Sequence, residues 1–333
     1  MLRLKTYSIS NSVILLFLLG MLISCGESES IPVATIVTDH TRYLRGYPIE
    51  FTADLKSGEN YSDYEFTFDF GDTTSSVGSQ VIHTYQATGT YEVVLTITGS
   101  TGTETEKRTI RVLNSLELLE THNLRVESPS GLSFGESKNT LWTVSDKPGG
   151  RAVEIDLEGN TIRSLNYSGE DLEGISFDAR DSTLWMVDES LNRLIHIDQS
   201  GNTIGYQNIT GVSDGSGLEG IALDILHSRK FLIKEKDLGA LVTLDESALT
   251  QTFVRLTFAP DYSGAYYAAS SDELWIVSHE ASSVYLVNTA GEFIESYGVY
   301  MEQPEGIVFD VANQKIYLVD DTTERLHIYG FWE

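Results

Sequence analysis

Three glutamates in this 333-residue chain stand directly before a glycine and an isoleucine: Glu173-Gly174-Ile175, Glu219-Gly220-Ile221 and Glu305-Gly306-Ile307. Each triplet opens a short apolar run. A second run follows and ends in charge, at Asp188-Glu189, Lys234-Glu235 and Asp320-Asp321. Two further copies carry serine in place of the glutamate, Ser130 and Ser263, and end at Ser145-Asp146 and Ser278-His279. Carboxylates gathered in this way repel one another unless something positive intervenes, and a hard cation with oxygen ligands, Ca²⁺ above all, is their natural partner. The expected metal set is therefore Glu173, Glu219, Glu305, Asp146, Glu189, Glu235 and Asp321. The expected ligand-binding set is His279, Lys234, Asp188 and Asp320, with Lys234 either neutralising part of the ring or meeting an anionic group. The structural alternative is simpler: acidic residues after strands cap turns, and a glutamate before glycine bonds backbone amides of its neighbour.

Two function classes follow. One is a non-catalytic protein that binds a ligand or partner, possibly with Ca²⁺. The other is a calcium-dependent hydrolase of lactonase or phosphoesterase type, with the metal polarising the substrate and His279 or a ring carboxylate as base. No His-Glu-x-x-His or phosphate loop is present, and the motifs assign no catalytic residue.

The elements that must position these residues read as β-hairpins. In Asp171 to Glu189 the runs Ile175–Phe177 and Leu184–Val187 flank a polar turn. The same pattern recurs with its glycine at Gly131, Gly174, Gly220, Gly264 and Gly306, in steps of 43, 46, 44 and 42 residues. A period in the low forties with two hairpins per unit predicts a β-propeller. Third strands are expected at 152–156, 194–198, 241–245, 284–288 and 326–329, and turns such as Ser200-Gly201-Asn202 lead to fourth strands. The last repeat lacks a fourth strand, while a spare one, Leu116–Leu119, precedes the first repeat. Pairing the two gives five four-stranded blades in a closed ring without open edges. The start of each first strand and the end of each second then share one face, which collects the charged residues above. Trp142, Trp185 and Trp275 occupy one repeat position and are expected to pack blades together; Tyr266 and Tyr267 are expected to shape the fourth.

Upstream, 33–113 alternates as antiparallel strands do, with Phe68-Asp69-Phe70-Gly71-Asp72, His83-Thr84-Tyr85 and Gly89-Thr90-Tyr91 in order. These motifs resemble a PKD domain, an immunoglobulin-like sandwich, with Phe68 and Thr73 where that family usually has tryptophan and glycine. The resemblance implies a spacer or weak adhesion module. His83 is expected to be structural there, and Asp69 and Asp72 to bond turn amides. The Glu-Gly-Ile repeats of residues 116–333 resemble the SdiA-regulated (YjiK-like) propeller family, and more loosely gluconolactonase-type and NHL-repeat propellers. That resemblance implies architecture rather than a reaction. The fold expectation is all-β, an immunoglobulin-like sandwich followed by a five-bladed propeller over 114–333.

The first 24 residues read as an export signal: Arg3 and Lys5 precede the apolar run Val13–Ile23, too short for the roughly 20 residues that span a bilayer. Leu22-Ile23-Ser24-Cys25 is similar to a bacterial lipobox, which implies lipidation of Cys25, a membrane anchor, a tether over 25–32 and a place in the cell envelope, on the periplasmic or the outer face. As Cys25 is the single cysteine, no intrachain disulfide forms. The formal net charge is −27, and removing residues 1–24 takes away two bases and no acids, giving −29. Such a surface excludes nucleic acid and gathers cations; carbohydrate, a small molecule or a protein remain as partners.

Overall fold

The computed structural model describes residues 31–331 apart from 40–42, 56–59, 213–216 and 237. Cys25, the export signal and most of the tether lie outside the described residues. Among the described residues regular structure is strand throughout, with one 3₁₀ turn at Tyr61–Asp63. No helix among them is long and apolar enough to cross a membrane.

The N-terminal domain is a sandwich of two sheets. Ala34–Thr38, Ile49–Leu55 and Gln80–His83 form one sheet; Ser75–Val77, Glu65–Asp69, Gly89–Gly99 and Gly102–Ser115 lie in the other. Alternation directs Phe51, Phe68, Phe70, Val93, Leu95 and Ile110 into a common core. The Tyr85 hydroxyl donates to the Phe70 carbonyl across it, at 3.0 Å. Asp69 accepts from the Gly71 amide at 2.9 Å and Asp72 from the Thr74 amide at 3.1 Å. His83 stacks on Phe70 at 3.9 Å and meets Asp72 at 2.8 Å. All three polar groups serve the turns, as the sequence predicts.

The C-terminal part is propeller-like. Its first strands are Pro129–Phe134, Leu172–Asp178, Leu218–Asp224, Ala265–Ala268 and Pro304–Asp310. Each starts an antiparallel four-stranded sheet that follows chain order, except that the fifth sheet takes its outer strand from Glu117–Asn123. That strand pairs with Arg325–Gly330, in a register that sets Leu118 opposite Tyr329 and His122 opposite Leu326. It is four residues longer at its C-terminal end than the apolar run suggests, because the backbone ladder continues through the polar Glu120-Thr121-His122-Asn123.

The five first strands pack around a common axis. A Cβ placed on Gly131 would lie 2.5 Å from the Glu173 carbonyl oxygen, and one on Gly174 would lie 2.7 Å from that of Glu219. Gly220 abuts Ser263 and Ala265 in the same way, Gly264 abuts Glu305, and Gly306 returns to Gly131. The repeated glycines are thus required by close approach of neighbouring strands. Between sheets the apolar cores hold Trp142 and Trp275 almost fully buried, whereas Trp185 is half-buried and stacks on His196 at 4.0 Å.

Gly102–Ser115 spans the two domains. It pairs with Gly89–Gly99 inside the sandwich, then sets Asn114 and Ser115 parallel to Tyr297 and Gly298 on the outer edge of the fourth sheet. Tyr47 and Tyr300 meet across the same junction, with ring centroids 4.6 Å apart.

Candidate functional site: an acidic mouth at the ring axis

The site begins with a break in the ladder. Pairing between first and second strands shifts register at residues 130/132, 172/175, 218/220 and 304/307, which brackets Glu173, Glu219 and Glu305. A β-bulge re-aims the side chains it contains. Here it turns the three glutamates inward beside the axis, where they are only 7%, 8% and 7% exposed. The fourth sheet pairs in regular register from Ala265 and has Ser263 in place of a glutamate.

Second-strand ends complete three neighbouring groups. Asp146, Asp171 and Glu173 bring oxygens within 4.8 Å of one another, as do Glu189, Glu219 and Glu235. Glu235, Asp261 and His279 make the third. Most of the predicted metal set is therefore brought together. Asp321 lies near Glu173's neighbours Asp146 and Glu305, raising the proton affinity of both, and its buried Oδ1 has no hydrogen-bond partner. Asp171 and Asp261 were not among the residues singled out from the sequence. Each stands two residues before the glutamate or serine of its repeat, and that shared phase was the available signal.

Electrostatics follow from burial. Loss of water pushes Glu173 up to about 9, with the charge of Asp146 adding to the effect. Glu305 rises to about 7 for the same reason, held back by His279. Glu219 is raised well above the ordinary carboxyl range by burial, then by Glu173, Glu189, Glu305 and Glu235. Burial likewise raises Asp146 and Glu189. Glu189 accepts from the Gly217 amide at 2.8 Å and Glu305 from the Gln303 side chain at 3.0 Å, whereas the Glu219 carboxyl hydrogen-bonds that of Glu189 and meets no amide or cationic donor among the described residues.

His279 has a different environment. Its Nδ1 lies 2.8 Å from Asp261 Oδ2 and 3.6 Å from Glu305 Oε1. The Asp261 hydrogen bond is the main cause that raises the proton affinity of the ring. Asp261 itself is fully buried and bonded by the Ser278 hydroxyl and the His279 and Glu280 amides; burial opposes its ionisation, but the His279 ring, then the Ser278 hydroxyl and the Glu280 amide, hold it below its ordinary value. Nε2 of His279 has no hydrogen-bond partner among the described residues. Lys236 enters the mouth from outside, 2.8 Å from Glu235 and 3.0 Å from Glu280.

Three of the four predicted ligand-binding residues are used otherwise. Asp188 accepts from Ser190 at 2.9 Å and the Leu191 amide at 3.2 Å, and pairs with Arg193 at 3.2 Å. Asp320 accepts from the Glu302 and Thr323 amides at 3.0 and 2.9 Å. Lys234 Nζ donates to the Lys236 carbonyl at 2.6 Å. Each occupies the strand position next to a ring residue, and successive side chains on a strand face opposite ways.

Residues 116–323 match the SdiA-regulated family, and residues 29–113 match the PKD domain. Among solved structures, a protein of unknown function from Bacteroides thetaiotaomicron aligns over 86% of this chain and 81% of its own, at 12% identity and a TM-score of 0.44. A streptogramin B lyase aligns over 64% and 73%, at 16% identity and a TM-score of 0.41. A nidogen/laminin complex aligns over 77% and 85%, at 14% identity and a TM-score of 0.45. These alignments are shallow, and no chemistry transfers through them.

Proposed function

The chain belongs to the SdiA-regulated family, and from that premise we propose a lipid-anchored, non-catalytic binding protein of the bacterial cell envelope. Its five sheets act as a closed five-bladed propeller whose acidic mouth takes a Ca²⁺-like cation, alone or together with a ligand. The carrying observation is Glu219, more than nine-tenths buried beside Glu189 and Glu235, with no amide or cationic donor on its carboxylate among the described residues. A buried carboxylate left so is costly unless it is neutralised. A proton or a cation can do this, and a cation satisfies several carboxylates at once. A cation that binds only the folded state stabilises it, by about 2.7 kcal/mol at a hundredfold excess over Kd. Adding Ca²⁺ to chelated protein should therefore raise the melting temperature by a few degrees, and Glu219→Gln should abolish the response. A protein indifferent to Ca²⁺, whose Glu219→Gln variant is neutral or more stable, would leave the mouth purely structural.

The second reading, a metal-dependent hydrolase, is favoured by one arrangement. Asp261 fixes Nδ1 of His279 and leaves Nε2 unbonded at the mouth, the geometry of an oriented general base. Its test is turnover of lactone and phosphoester substrates in Ca²⁺, lost in His279→Gln. Cation binding without turnover favours the binding protein.

A further inference from the structure

A second opening lies away from the mouth, between the N-terminal sandwich and the fourth and fifth sheets. It is a cleft of about 980 Å³, at the upper end of the range of small-molecule sites, which favour domain interfaces. Four rings form its floor. Trp275 contacts Tyr297, Phe309 and Phe331 at centroid separations of 5.7, 5.0 and 5.2 Å, and these rings also touch one another. One wall is a fixed polar array in which Glu295 accepts from the Asn114 side-chain amide and, at 2.9 Å, from the Tyr297 hydroxyl.

Polar side chains open to solvent line the rest of the cleft. The Arg45 guanidinium, the Glu273 carboxylate and the Gln314 side-chain amide line the cleft. None has a side-chain hydrogen bond or ion pair among the described residues. Acids outnumber bases there, with Glu117, Glu273 and Glu295 against Arg45, so an anionic ligand is disfavoured. Planar forks of donors and acceptors suit pairs of hydroxyls, and the partly exposed Tyr297 ring beside them suits the apolar face of a sugar. We propose that this interdomain cleft binds a short neutral oligosaccharide, independently of any cation at the mouth.

The test uses the full mature chain and a panel of neutral trisaccharides: maltotriose, cellotriose, xylotriose and chitotriose. Binding is followed by saturation-transfer NMR and titration calorimetry. At least one should bind saturably at millimolar concentration or below. Arg45→Ala and Glu273→Gln should each weaken it about tenfold, the loss of one good hydrogen bond, with unchanged melting temperature. Glu219→Gln at the mouth should leave it unchanged, which separates this site from the cation reading. The proposal is overturned if no panel member saturates, if binding survives both cleft substitutions, or if a uronic-acid trisaccharide binds more tightly than every neutral one.

Discussion

Glu173 and Glu305 retain protons at a pH where surface carboxylates have lost theirs. Both have folded-state values, about 9 and about 7, above the ordinary 4.5 of a free glutamate. Between 4.5 and those values the native chain binds more protons than the unfolded one, so stability is whole below 4.5 and falls as pH rises through 7 and then 9. In chelator, thermal melts should show the midpoint dropping across that interval. Ca²⁺ should flatten the slope, and Glu173→Gln, which keeps the shape without the charge, should remove its alkaline part. A midpoint that climbs with pH in chelator would falsify the assignment. The carboxylates were legible in the sequence as repeated Glu-Gly and strand-end positions. Their division into three groups was not, because the division depends on Asp171 and Asp261, whose shared phase recurs in only two of the five repeats, with Ser128, Gly217 and Gln303 at the same place in the others. For Asp188 and Asp320 the sequence offered both a ligand role and turn capping, and choosing between them needs the strand register, because period-two facing is certain only once it is known.

At the level of strands, the bulges and glycines are one device. The bulge turns a glutamate toward the axis, and the following glycine lets the next strand come close enough to hold the bulge in place. Gly174→Ala puts a methyl 2.7 Å from the Glu219 carbonyl oxygen, where backbone must move. It should cost about 1–3 kcal/mol in denaturant melts. Gly205, which has open space around it, should accept alanine within about 0.5 kcal/mol. The outer strand Glu117–Asn123 makes a second prediction. A chain starting at residue 122 should unfold several kcal/mol more easily than one starting at 114, since a whole ladder edge and its apolar contacts are gone. Equal melting of the two would show that the pairing contributes nothing. The all-β, propeller-like character of this part was readable from the short alternating strands and their forty-odd-residue period. The bulges were not, since Glu-Gly-Ile fits a regular strand equally well.

Across the whole molecule, the proposed anchor and the acidic surface act together. Without residues 1–24 and their two bases the formal net charge of −27 becomes −29, so an anionic bilayer repels the chain, and the proposed lipid at Cys25 would hold it there against that repulsion. Cys25→Ala should move the protein from the membrane fraction to the soluble one in cell fractionation; persistence at the membrane would sink the anchor. The strand Gly102–Ser115 runs from one domain into the edge of the next sheet with no glycine- or proline-rich linker between them. A flexible linker spreads two binding surfaces over a cloud of separations, and their mutual effective concentration falls accordingly. A strand shared by both domains collapses that cloud to nearly one separation. Two sites on this molecule would therefore act as a caliper, engaging a bivalent partner of matching span with high avidity and every other span hardly at all.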